Sequence, residues 1–230
     1  MGLLQSFIPK TDEPSVLVFN TLNWSYSGIA KVYVDHQLLP RDKAFEITDA
    51  SGRSVPAQAG ESRSDGTYWY IYVRDVPALG FIRCRIDEPL PSEASAGSLS
   101  GTHVENEWYG LDFNLQRGTI SRLYDKDLQR QLLTEDAEWE LGEFIYETID
   151  DRGALERYTY PRFTRRHPEK MRFEAYEEGA IWDTYRFKGE TAAGIGHDNL
   201  TVEYHIYKVE KKIEVVYSLR KKAEAEPEAV

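Results

Sequence analysis

Apolar and polar residues alternate with period two through most of the chain, and the runs are short. In Ile29 to Val34, Ala30, Val32 and Val34 fall on one face of a strand. In Phe81 to Ile86, Ile82, Cys84 and Ile86 do the same. SVLVFN (Ser15 to Asn20), Phe45 to Asp49 and Ser54 to Gln58 read as further strands, with a turn at Ala50 to Arg53. Tyr68 to Val73 is the strongest β run, apolar or aromatic on both faces, and Val76 to Gly80 breaks it. Later, Tyr109, Leu111 and Phe113 share a face, Asn114 to Gly118 is a polar hairpin turn, and Ile120 to Tyr124 returns. Asp125 to Asp127 forms a charged turn, and Leu132 and Leu133 anchor the corner beyond it.

Beyond that corner the pattern is less regular. Leu141 to Ile149 fits a strand or a short helix equally well. Asp150 to Glu169 reads as a long charged excursion, and the basic residues Arg162 to Arg166 as loop charge. Met171 to Tyr176 and Ile181 to Phe187 flank a turn at Glu177 to Gly179. A glycine-containing loop, Gly189 to Asn199, leads to a hairpin. There Leu200, Val202, Tyr204 and Ile206 face the same way, as do Ile213, Val215, Tyr217 and Leu219 across the charged link Lys208 to Lys212. The tail, Lys221 to Val230, is too charged and alanine-rich for a strand and reads as frayed.

The fold class is therefore all-β. Residues 1–90 form a small β-sandwich, 91–102 a Pro/Ser/Ala/Gly-rich linker, and 103–230 a second β domain.

Composition narrows the partners. The net charge of −11 argues against nucleic acid, which needs a basic surface. No run approaches the ~20 apolar residues of a membrane helix. The start, MGLLQSFIPK, lacks the pattern of a secretory signal, and one cysteine, Cys84, suits a reducing compartment, so a cytoplasmic location is expected. Cys84 lies in an alternating strand and reads as a buried structural thiol. Two glycosylation triplets, at Asn23 and Asn199, are of a kind that arises by chance.

No catalytic constellation stands out. The five histidines are scattered, with no pair at metal-ligand spacing, so no metal or other cofactor is expected in this chain. There is no nucleophile elbow and no phosphate loop. Sugars stack on aromatic rings through their apolar C–H faces. Trp139, Trp182 and Tyr185, with His197 beside Asp198, are the carbohydrate-contact candidates, set against the plainer reading of core or half-buried sheet residues.

Three segments carry a family resemblance: VLVFNTLNW (Val16 to Trp24), DVPALG (Asp75 to Gly80), and ENEWY with ISRLYDK (Glu105 to Tyr109 and Ile120 to Lys126). In this order they resemble the C-terminal β region of glycoside hydrolase family 38, the retaining α-mannosidases. The resemblance implies a small sandwich followed by part of a galactose-mutarotase-like supersandwich. It also implies a catalytic barrel, with zinc and the catalytic carboxylates, and a helix bundle, which would be this region's partners. None of the barrel motifs occurs here, so no catalytic residue carries over. A supersandwich stopping partway would leave a sheet edge open to self-association.

Three functions follow. The first is a non-catalytic β region that supports the barrel and touches mannose-containing glycans. The second is a stand-alone carbohydrate-binding module. The third is an enzyme of mutarotase or lyase type, which needs a histidine and a carboxylate brought together, His197 or His205 with Glu203.

Overall fold

The computed structural model describes residues 8, 11, 13–40, 45–87, 101–134, 137–149, 151–159 and 162–229. Most of the linker expected at 91–102 lies outside them. The chain divides into two compact units, Met1–Ser95 with Gly179–Ile181, and Ala96–Glu178 with Trp182–Val230.

The first unit holds β1 (Ser15–Phe19), β2 (Tyr26–Asp35), β3 (Glu46–Thr48), β4 (Ala57–Ser62), β5 (Gly66–Val76) and β6 (Phe81–Asp87). They form two antiparallel sheets, in the orders β1-β6-β3 and β2-β5-β4. Both sheets turn one side onto a shared core of Ile47, Ile71, Val73, Val76 and Cys84, so this is a sandwich. Val18, Val32 and Ile82 pack against it from the faces that alternation assigns to them. β4 begins at Ala57 rather than Ser54, because Pro56 cannot donate to a ladder.

The second unit holds β7 (His103–Glu105), β8 (Tyr109–Asn114), β9 (Thr119–Asp125), β10 (Arg130–Gln131), β11 (Tyr146–Ile149), β12 (Phe163–Arg166), β13 (Glu169–Glu177), β14 (Trp182–Glu190), β15 (Leu200–Tyr207), β16 (Ile213–Leu219) and β17 (Glu228–Ala229). Two four-stranded sheets, β10-β9-β8-β7 and β13-β14-β15-β16, share one core with a small third sheet, β12-β11-β17. Leu111, Phe113, Ile120 and Leu123 enter it from the β8–β9 hairpin; Tyr185, Phe187, Val202 and Tyr204 enter from β14 and β15.

The hairpin turn is set locally. The Asn114 side-chain oxygen accepts from the backbone N–H of Gln116 and Arg117, both at 3.2 Å. Gly118 closes the turn at φ +67°, and a Cβ there would fall 2.7 Å from the Met171 side chain.

Several expectations are corrected. Leu133 packs on the core, but Leu132 faces outward. Leu141 to Ile149, which the pattern leaves open between strand and helix, ends in a strand, β11. The 150–169 excursion is not a bare loop: it carries a short helix, Arg152–Glu156, capped by Asp151, and then β12, which pairs with β11. The basic run Arg162 to Arg166 thus lies largely in a strand. The tail is not frayed throughout: β17 pairs with Glu147 and Thr148 of β11, and Glu228 forms an ion pair with Lys221. Among the described residues β16 is an open edge of its sheet.

Candidate functional site

The four aromatic and histidine candidates fall into different surroundings. Tyr185 is 4% exposed and belongs to the core, its ring against Phe113 and Tyr176 at 5.1 and 5.0 Å. Burial pushes its hydroxyl well above the usual tyrosine range. Trp182 is buried as well, stacked on His205 at 5.2 Å and tilted against Tyr207 at 5.3 Å. Buried rings like these offer no open face to a sugar. His197 stands out from the loop after β14, with Nδ1 3.0 Å from a Glu190 carboxylate oxygen. Its backbone carbonyl accepts from Arg220, and the bidentate Arg172–Asp198 pair (2.8 and 2.7 Å) fixes the next residue. Trp139 is half-buried and stacks on His167 at 4.1 Å, with 23° between the planes.

That contact leads to a cluster the sequence did not single out. The Glu143 side chain is 1% exposed, yet charged. Burial works against its charge, but Arg117 at 2.5 Å and His167 at 2.6 Å outweigh it and hold the carboxyl below its ordinary value. The Glu140 backbone N–H also donates to Glu143, at 3.1 Å. Arg117 comes from the β8–β9 turn, Glu140 and Glu143 from the segment before β11, and His167 from the turn between β12 and β13. The cluster therefore pins three pieces of chain together. A buried carboxylate orienting one imidazole nitrogen resembles the support of a catalytic base. In this case the imidazole is stacked on an indole and its partners are structural.

A second histidine lies on the face of β14–β16 turned away from the core. His205 has Nε2 3.7 Å from Glu203 and Nδ1 3.3 Å from Glu214. The pairing expected of His205 with Glu203 is therefore present, and that of His197 is with Glu190 instead. Both carboxylates beside His205 have other partners. Glu203 takes Arg186 at 2.5 Å; Glu214 takes Lys212 at 3.3 Å and the Tyr207 hydroxyl at 3.1 Å. The nearby His205 imidazole and then Arg186 hold the Glu203 carboxyl down at about 2. This is a closed cross-strand ion network, a sound brace for a sheet but a poor proton shuttle. Glu214 was legible in principle, since the hairpin register sets it opposite His205.

Two concave surfaces lie in the first unit. A groove of about 710 Å³ and a second of about 380 Å³ meet at the Asp49 to Arg53 turn. Asp49 ties that turn together by accepting from Ser51 and Arg53. Among the described residues no group of three or more histidine, cysteine or acidic side chains is placed to hold a metal ion, and no helix is long and apolar enough to cross a membrane. Cys84 is buried, which pushes its thiol up and keeps it protonated. Asn199, one of the two glycosylation triplets, is 5% exposed and spends its amide on Thr191 and Gly196, so the folded chain offers no acceptor there.

No family model and no curated protein matches the sequence. Solved structures do match the fold. A protein in glycosyl hydrolase family 38 from Enterococcus faecalis is similar with a TM-score of 0.51 and 12% identity, over 90% of this chain and 31% of its own. An alpha-mannosidase from Enterococcus faecalis V583 gives a TM-score of 0.48 at 12% identity, over 85% and 28%. At such identity the likeness is one of fold. The chain spans less than a third of each of these two solved structures.

Proposed function

We propose that this chain is a non-catalytic β region of an α-mannosidase-like glycoside hydrolase. In this reading it braces the catalytic barrel and helix bundle of a longer polypeptide and meets mannose-containing glycan at its margin. The observation that carries the reading is the fold likeness over 90% of this chain to a protein of which it covers only 31%. The three sequence segments that resemble family 38 point the same way. The histidine–carboxylate clusters agree with a supporting role, since their charges are spent on one another. Of the aromatic and histidine candidates, His197 is exposed and Trp139 is half-buried with one ring face against His167, whereas Trp182 and Tyr185 are buried in the sheet.

The test uses the chain and its source. The isolated chain is expected to leave a chromogenic α-mannoside intact, and hydrolysis would sink the non-catalytic reading. An antibody raised against it is expected to detect a native polypeptide far heavier than 26.5 kDa. A band at that mass alone would sink the parent enzyme. Calorimetry with mannobiose tests the glycan contact, with Trp139→Ala expected to abolish any heat.

A further inference from the structure

We infer that one corner of the first unit is a protein-docking face, covered in the native polypeptide by chain outside these 230 residues. The inference rests on the proposed function, which makes this region part of a longer polypeptide.

Two turns build the corner: the one between β1 and β2, and the one between β5 and β6. Their backbones are bonded to each other, Asn20 N–H to the Gly80 carbonyl and Leu79 N–H to the Leu22 carbonyl, both at 2.8 Å. Asn20 is buried and acts as the pin. Its amide donates to the carbonyls of Trp24 at 2.7 Å and Val76 at 3.0 Å, and its side-chain oxygen accepts from Leu22 at 2.9 Å. The corner is therefore rigid, and what it presents is apolar. Trp24 is 59% exposed and Leu79 75%, with Phe19, Tyr26 and Phe81 also exposed. Phe19 and Phe81 lie tilted against each other across β1 and β6 with ring centroids 5.3 Å apart.

Exposed apolar residues scattered singly need no explanation, but five gathered on two interlocked turns and the strand ends that flank them do. Phe81 also lines the 710 Å³ groove, beside Tyr72 and Arg74, whose guanidinium lies 5.5 Å over the Tyr72 ring. The corner and the groove are thus continuous. Trp, Tyr and Arg side chains on a rigid frame are the residues that dominate protein–protein contacts. A sugar site needs polar groups aimed at hydroxyls around the ring. At the corner itself the amide of the pin, Asn20, is turned inward and used, and the charged side chains nearby, among them Arg74 and Asp75, line the adjoining groove. The fold recurs in a solved chain of which it makes up 31%, so a covering segment of the same polypeptide is the occupant that fits.

Acrylamide quenching of Trp24, taken as the difference between wild type and Trp24→Phe, tests this in the isolated chain and in the native polypeptide. Trp24 is expected to be open in the isolated chain and quenched severalfold less in the longer one. Leu79→Asp is expected to lower the melting temperature of the longer polypeptide while leaving the isolated chain unchanged. Equal quenching in both contexts overturns the docking face and leaves the parent-enzyme reading standing. Protection of Trp24 in the isolated chain by mannobiose overturns it in favour of a sugar platform, and protection that grows with concentration overturns it in favour of a second copy. If immunoblotting finds no longer polypeptide, the parent-enzyme reading falls and the inference with it.

Discussion

The two units are built from the same kind of strand but treat their aromatic residues in opposite ways. In the second unit a cluster of rings points inward, although Tyr158, Phe163 and Tyr217 are exposed. Phe113 lies 5.1 to 5.4 Å from Tyr185, Phe187 and Tyr204, and all four are buried. The Tyr204 hydroxyl reaches across the core to donate to the Gly118 carbonyl at 2.9 Å. In the first unit the core is aliphatic, and the rings stand on the outside. Tyr33 packs on Tyr68 at 4.9 Å, Phe19 on Phe81, and Lys31 sits 4.4 Å over Tyr68. Aromatic richness therefore says that a segment is a strand, not which way its rings face. A unit with its rings inside is held by its own core. A unit with its rings outside has apolar surface left over for a partner.

The sharpest way to break that contrast is to delete a ring from each unit. Phe113→Ala removes the centre of the buried cluster and is expected to cost about 3–5 kcal/mol. Phe81→Ala, on the surface of the first unit, is expected to cost less than about 1 kcal/mol in the isolated chain. Urea unfolding of the two variants measures both, and equal costs would show that the contrast has no energetic content. A smaller effect tests how the first unit is held. Asn20→Ala leaves the carbonyls of Trp24 and Val76 and the N–H of Leu22 without their side-chain partner, at a cost of about 2 kcal/mol. Amide exchange at Leu22 should speed up, while exchange in β14 and β15 should not change.

Much of this was legible from the chain. Alternation places Leu111 and Phe113, and also Val202 and Tyr204, on their core faces. Asn114 and Gly118 announce the turn between β8 and β9. What was not legible depends on distant partners. β17 has two residues, and it is a strand only because Glu147 and Thr148 lie beside it. The helix after Asp151 has a proper cap but too few residues to show a helical period. The candidate rings lie in different surroundings for the same reason: Tyr185 and Trp139 look alike in sequence, and packing alone buries one and half-buries the other. The Glu143 cluster draws on residues from 117 to 167, a separation no local pattern records.

The smallest effect concerns charge, and it should again fall on one unit. Glu203 has an ordinary carboxyl value of 4.5 and is held at about 2 in the folded chain, first by His205 and then by Arg186. Between those values the unfolded chain binds the proton and the folded chain does not, so stability rises with pH across that window. The contribution is fully present above the ordinary value and fades as pH falls toward 2. The side chain is about a quarter exposed, which screens the pair and brings the effect to the order of 1–2 kcal/mol. Glu203→Gln should therefore flatten the acid limb of the stability curve read from β15 amides. The same substitution should leave the acid response of β5 amides as it was, because Ile71 and Val73 pack in the aliphatic core of the first unit. A parallel shift in β5 would mean that the two units unfold as one, and the contrast between their cores would then describe packing without separate stability.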